Sequence, residues 1–127
     1  MIKGNRKENL VAEIKTEKHT FLSGVKEKSG GHDEGPDPHE LLESALAACT
    51  ILTLQMFANR RQWNLESADV EIQITSESKT ESKISRKIKL IGDLTPEQEK
   101  TLLDIANKCP IHNLLKSNIE IITELVE

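Results

Sequence analysis

Residues 37–62, with the sequence DPHELLESALAACTILTLQMFANRRQ, decide the fold of this chain. Asp37 is a favourable N-cap, Pro38 suits the first helical position, and Glu40 is placed to close a capping box. The middle of the segment is apolar nearly all the way round, which is typical of a central helix that is covered on most sides. We therefore predict a long buried helix that begins after Asp37 and ends near Gln62.

Two hairpins are predicted, one before and one after this helix in the sequence. Residues 10–15 and 20–25 alternate between apolar and polar side chains and are separated by a short turn. Residues 70–74 and 84–90 alternate in the same way around a polar turn, although Arg86 interrupts the second series. Strands that are close in sequence and joined by short turns pair with each other most readily.

The last part of the chain predicts two further helices and a closing strand. Residues 95–98, Thr-Pro-Glu-Gln, repeat the capping signals and predict a helix over residues 96–108. A short helix is expected over residues 112–116, and residues 119–126 are predicted to close the chain as a strand. The order β-β-α-β-β-α-α-β indicates an α+β fold, and the length of the chain favours one domain over residues 1–127.

Composition and charge exclude several classes of partner. The formal net charge is -4 with the signs interspersed, so we expect no nucleic acid and no membrane surface as a partner. Residues 1–9 are polar and lack the order of a signal peptide, which predicts a cytoplasmic protein. The apolar stretch 45–58 is too short for a membrane span and contains Thr50, Thr53 and Gln55, so it is expected to be buried in protein.

The two cysteines are the strongest candidates for chemistry. In a reducing cytosol, Cys49 and Cys109 are expected to be free or catalytic instead of forming a permanent structural disulfide. Cys109 precedes Pro110 at the N-cap of a turn, where backbone N–H groups favour a thiolate. Cys49 lies inside a helix and needs a nearby cation or donor to ionise. The alternative is that both cysteines are small core side chains.

Three other residues near the cysteines in sequence are candidate supporting groups. His39 and Glu40 lie more than two helical turns before Cys49, too far along the axis to deprotonate it directly, and Glu40 is most simply a capping residue. His112 lies one helical turn after Cys109 and could donate to a thiolate or stabilise the helix start. The spacing of the cysteines and histidines fits no usual zinc motif, so we expect no metal ion or other cofactor.

Three stretches of this sequence resemble one protein family. Residues 35–42 (GPDPHELL), 45–50 (ALAACT) and 109–112 (CPIH) are similar to the signatures of the osmotically inducible protein C and organic hydroperoxide resistance family (OsmC/Ohr). The resemblance extends along nearly the whole chain in the order of its elements. It implies an intertwined homodimer, in which antiparallel sheets from both chains wrap around long central helices and the active sites lie at the dimer interface.

The resemblance also implies roles for both thiols. Cys49 would be the peroxidatic cysteine that attacks an organic hydroperoxide, and Cys109 would resolve the sulfenic acid to a disulfide that a dithiol reduces. This assignment overrides the N-cap argument, which made Cys109 the more reactive thiol. An apolar pocket for the alkyl group is expected from the following residues: Leu46, Leu52, Thr53 and Met56.

The chain departs from the family pattern at two positions that concern the activation of Cys49. Well-characterised family peroxidases carry a glutamate where this chain has His39, with Glu40 one position later. They also carry an arginine near the first hairpin, where this chain offers only lysines and a histidine, and Arg6 is the only arginine before the long helix. Two alternatives to a peroxidase therefore stay open: a redox-responsive or ligand-binding dimer without efficient turnover, and a purely structural role for both cysteines.

Overall fold

The structure is a computed structural model that describes residues 1–127. Its elements are β1 (Lys3–Glu8), β2 (Val11–Lys15), β3 (Thr20–Ser23), α1 (Pro38–Arg61), β4 (Asn64–Ser76), β5 (Lys83–Asp93), α2 (Pro96–Ala106) and α3 (Pro110–Lys116), with one turn of 3-10 helix at Glu27–Ser29. The predicted α+β class is confirmed. The chain divides into two compact units, residues 1–44 and 45–127, and the prediction of one domain stays a prediction.

The unit of residues 1–44 contains a three-stranded antiparallel sheet in the order β1-β2-β3. The predicted hairpin of β2 and β3 is confirmed, with Lys15 paired to Thr20. Strand β1 was not predicted, because it contains no apolar side chain and all of its residues are exposed. This edge strand has no apolar face, and its backbone hydrogen bonds to β2 hold it in the sheet. Asn9 makes the turn between the two strands with a φ of 41°, a conformation that asparagine tolerates.

The predicted capping box at the start of α1 is confirmed. The Asp37 N–H donates to Glu40 Oε1 at 3.0 Å, and the Glu40 N–H donates to Asp37 Oδ1 at 2.8 Å. Lys26 Nζ lies 3.4 Å from Glu40 Oε1 and 3.6 Å from Asp37 Oδ2, so the loop before the helix is tied to the same carboxylates. The hydroxyl of Ser23, a buried residue, donates to Pro36 O at 2.8 Å. Glu40 therefore has a structural function in this unit.

The unit of residues 45–127 has its core between α1, α2 and the antiparallel hairpin of β4 and β5. The fully or nearly fully buried residues of this core are Leu54, Ala58, Leu65, Ala68, Leu102 and Ala106. The predicted second hairpin is confirmed, and both of its strands are longer than expected. The capping box of α2 is also confirmed, since Thr95 Oγ1 accepts from the Gln98 N–H and Gln98 Oε1 accepts from the Thr95 N–H.

One face of α1 is exposed, so the prediction of a helix covered on most sides was wrong for the single chain. The buried residues Leu46, Thr50, Leu54 and Ala58 follow at every fourth position and form one narrow stripe. Apolar side chains outside the stripe face solvent, with Leu52 61% and Met56 52% exposed. The helix is long and apolar enough to cross a membrane by length and composition alone, a test that core helices of soluble proteins also pass.

The predicted closing strand at residues 119–126 was wrong. This segment forms no helix or strand, and Ile121, Ile122 and Leu125 are exposed. Its apolar pattern is compatible with a strand, but a strand also needs a neighbouring strand to accept its backbone hydrogen bonds, and residues 119–126 pair with none in the chain. The observed order is therefore β-β-β-α-β-β-α-α.

Candidate functional site

The two cysteines meet at the first turn of α3. Both are free thiols, with Cys49 partly exposed on α1 and Cys109 fully buried at the N-cap of α3. The backbone N–H of Ile111 donates to Cys49 Sγ at 3.5 Å, and the N–H of His112 donates to Cys109 Sγ at 3.3 Å. These two N–H groups belong to neighbouring residues, so the two sulfurs lie beside each other, and the Cys109 side chain lowers the pKa of the Cys49 thiol. The fold thus brings together the two residues that are far apart in sequence.

The surroundings of Cys49 favour its thiolate. Burial raises the pKa of the Cys49 thiol, but the hydrogen bonds from Ile111, Cys109 and Thr53 and the charge of Arg86 lower it, and the net pKa lies below the ordinary value. Thr53 Oγ1 is 3.8 Å from the sulfur, one helical turn along α1. Position within a helix therefore does not prevent activation, because the main donors come from other elements of the fold.

Arg86 is the residue that the sequence analysis missed. From β5, its guanidinium donates to Thr50 Oγ1 at 3.1 Å, to Asn107 Oδ1 at 3.0 Å and to His112 Nδ1 at 2.9 Å. All three acceptors are neutral, and the salt bridges of the chain lie at Lys15 and Lys26. The available signal was the interruption of the apolar alternation at Arg86. That interruption marked a polar side chain on the inner side of the strand.

The His112 ring contacts Arg86, whereas the backbone N–H of His112 contacts Cys109. An arginine can only donate, so Nδ1 must accept and the neutral ring carries its proton on Nε2. Burial, followed by the positive charges of Arg86 and Lys116, lowers the pKa of His112. The imidazole is therefore neutral near pH 7. The backbone N–H of His112, in contrast, donates to Cys109 Sγ, which confirms the predicted N-cap position of Cys109 at the start of α3.

We predict that acidification weakens the folded state through His112. Because its pKa is lower when folded, the unfolded chain binds more protons as the pH falls below about 6.5, and stability is lost until the folded pKa is reached. The melting temperature should fall between about pH 7 and pH 5 more steeply than that of His112→Gln, whose amide oxygen can still accept from Arg86. Equal slopes for both proteins would contradict this prediction.

A cavity of about 250 Å³ lies beside Arg86 and His112. Its lining residues are Leu46, Ser82, Ile84, Arg86, His112, Leu115 and Lys116. Of the residues predicted to form an apolar pocket, only Leu46 lines this cavity, while Thr53 contacts Cys49 and Leu52 and Met56 are exposed. The cavity differs from the expectation because β5 and α3 contribute most of its wall, including two cationic side chains and no acidic one.

The remaining candidate residues lie in the first turn of α1. His39 and Glu40 belong to the unit of residues 1–44, where Glu40 takes part in the capping box and in a salt bridge with Lys26. A supporting role for either residue stays a prediction. The structure contains no group of three or more His, Cys, Asp or Glu side chains that could hold a metal ion.

Known proteins share this fold. A family model described as OsmC-like protein matches residues 31–124. The OsmC-like protein from Mycoplasma pneumoniae is 18% identical, with 91% of this chain and 86% of that chain covered and a TM-score of 0.74. For the organic hydroperoxide resistance protein OsmC from Legionella pneumophila, the identity is 20%, the coverage 93% and 89%, and the TM-score 0.65. For OhrB of Bacillus subtilis, the values are 18%, 93% and 92%, and 0.59.

These structural matches have low sequence identity and establish the fold alone. A comparison with curated proteins found no match. The family model, however, spans well over half of the chain and includes both cysteines. It agrees with the resemblance of residues 35–42, 45–50 and 109–112, and it confirms the predicted OsmC-like fold. The chain therefore belongs to the OsmC-like protein family.

Proposed function

We propose that this protein is a thiol-dependent peroxidase that reduces organic hydroperoxides. The observation that carries this proposal is the pair of free thiols: the partly exposed Cys49 and the buried Cys109 accept from adjacent backbone N–H groups, and Cys49 has a lowered pKa. A thiolate is the nucleophilic form of cysteine, and a second thiol in contact with it is placed to form a disulfide. Membership of a family with structures named organic hydroperoxide resistance proteins supports the same reaction class.

The proposed reaction has three steps: oxidation of Cys49, formation of the disulfide and its reduction by a dithiol. The Cys49 thiolate attacks the distal oxygen of the hydroperoxide, the O–O bond breaks, and the alkoxide leaves and takes a proton to become the alcohol. Cys49 is now a sulfenic acid. The Cys109 sulfur attacks the Cys49 sulfur, and water leaves as the disulfide forms. A dithiol then reduces this disulfide by two successive exchanges and is itself oxidised to a disulfide.

We further propose that the protein is a cytoplasmic homodimer with its active sites at the dimer interface. The exposed face of α1, with Leu52 and Met56, is an apolar surface of the kind that a second subunit covers. The apolar tail after α3 provides a second such surface, with Ile121 and Ile122 exposed. Sedimentation velocity at micromolar concentration tests this, and a monomer at every concentration would contradict it.

The first experiment is intact-mass spectrometry of the reduced protein after one equivalent of cumene hydroperoxide, with hydrogen peroxide as a parallel control. We expect rapid loss of two hydrogen atoms, and peptide mapping should place the disulfide between Cys49 and Cys109. The organic peroxide should react faster. Persistence of two free thiols would reject the peroxidase function and favour the redox-responsive or ligand-binding dimer. The observation that supports this alternative is His39, which stands where the family peroxidases carry an activating glutamate.

A further inference from the structure

We propose that Arg86 is a positioning residue for disulfide formation. It holds residues 107–112, the Cys109 segment, against α1, the helix that carries Cys49. This inference deepens the proposed function and rests on the two-cysteine reaction. The three hydrogen bonds of Arg86 go to residues that flank the two thiols. One is to Thr50, the neighbour of Cys49, and the other two are to Asn107 and His112, on either side of Cys109. A single side chain therefore connects both halves of the thiol pair.

The Cys109 segment has little else to hold it on its C-terminal side. Helix α3 is only 7 residues long, and none of its own residues is fully buried, although Ile111 and Leu115 are partly buried. Its tertiary polar contacts are the long bond from the Ile111 N–H to Cys49 Sγ at 3.5 Å and the shorter bond between Arg86 and His112 at 2.9 Å. The position of α3 therefore depends on Arg86.

The bonds of Arg86 also survive the chemistry at the thiols. The hydrogen bonds between backbone N–H groups and the two sulfurs change when Cys49 gains an oxygen and again when the disulfide forms. The acceptors of Arg86 are instead the hydroxyl of Thr50, the amide of Asn107 and the ring of His112, none of which reacts. Disulfide geometry is narrow, with Cβ atoms only about 4 Å apart, so a segment that drifts cannot close the bond.

Charge and geometry at Arg86 can be separated by substitution. Arg86→Lys keeps a cation near Cys49 but replaces a planar group with several donors by a compact ammonium that cannot reach all three acceptors. The reactivity of Cys49 should stay close to that of the parent. Closure of the disulfide should slow by roughly tenfold to a hundredfold, as expected for the loss of hydrogen bonds to a charged group.

The test uses dithiodipyridine, which needs no peroxide. Its disulfide is attacked by the Cys49 thiolate, which releases one thiopyridone and leaves a mixed disulfide on Cys49. The Cys109 sulfur then attacks the Cys49 sulfur and releases the second thiopyridone as the internal disulfide forms. Stopped-flow absorbance resolves the two phases, and Cys109→Ser should show only the first. The matched control is Arg60→Lys, since Arg60 is exposed at the end of α1.

We expect a normal first phase and a slow second phase for Arg86→Lys, and two normal phases for Arg60→Lys. A normal second phase for Arg86→Lys, or equal slowing of both phases, would overturn the positioning role. If the melting temperature of Arg86→Lys differs from that of the parent protein, Asn107→Ala is used as the test variant instead. This variant should also slow the second phase alone, and Asn107→Asp, which restores an acceptor, should recover it.

The two proposals fail in different ways. A protein that closes its disulfide quickly with dithiodipyridine but ignores hydroperoxides is not a peroxidase, yet its Arg86 positions Cys109. A protein that reacts with hydroperoxides while Arg86→Lys closes normally is a peroxidase in which Arg86 has no positioning role.

Discussion

Cys49→Ser is expected to reduce the consumption of organic hydroperoxides to the uncatalysed background. A serine hydroxyl does not ionise near neutral pH, and its oxygen cannot accept a second oxygen as sulfur does. The substitution is nearly isosteric at a partly exposed position and leaves the donors from Ile111 and Thr53 in place. The measurement is the initial rate of cumene hydroperoxide loss with excess dithiol.

Two controls accompany this prediction: the melting temperature of Cys49→Ser and the hydroperoxide consumption of Cys109→Ser. Thermal melting should show that Cys49→Ser is folded, because no core residue is changed. Cys109→Ser should still consume the first equivalent of hydroperoxide, since its Cys49 is intact. If Cys49→Ser retained a rate well above background while Cys109→Ser lost it, the thiols would have the opposite roles, as the N-cap argument for Cys109 alone suggests.

Cys109→Ser is expected to abolish the internal disulfide and to leave Cys49 oxidised as the sulfenic or sulfinic acid. Without a neighbouring thiol, the sulfenic acid should persist, and excess hydroperoxide should add a second oxygen to form the sulfinic acid. Serine is a better N-cap than cysteine and can accept the same N–H bond from His112, so α3 should keep its start. Intact-mass spectrometry distinguishes one added oxygen, two added oxygens and the disulfide.

Cys109→Ala is the matched control for the structural part of this effect. Alanine removes both the thiol and the cap, and compared with Cys109→Ser it should cost about 1 kcal/mol in stability. The two variants should show the same oxidised products and differ in melting temperature. If Cys109→Ser resisted further oxidation as well as the parent protein, Cys109 would have no resolving role.

Local sequence rules predicted the elements that depend on neighbouring residues. The capping boxes of α1 and α2 each need only residues within four positions of one another, and both were found as expected. The N-cap position of Cys109 before Pro110 is local in the same sense. Because these hydrogen bonds close within one helical turn, the chain specifies them wherever the helices are packed.

Pairing with distant partners explains where sequence reasoning was wrong. Strand β1 has no apolar side chain and is formed by backbone hydrogen bonds with β2, which leave no side-chain signal in the sequence. Residues 119–126 have the opposite character, with a strand-like pattern and no strand partner in the chain. Alternation reports which side chains favour burial, while strand formation also requires a neighbour.

The sequence by itself determined that two thiols exist, that Cys109 caps a helix and that the chain resembles the OsmC/Ohr family. Only the tertiary structure decided how Cys49 is activated. Apart from Thr53 on α1 itself, its donors come from the start of α3, and its nearby cation is Arg86 on β5, which no local spacing relates to α1. Such contacts depend on the register of the hairpin and the packing of separate elements, because charge and hydrogen bonds act through space and not along the chain.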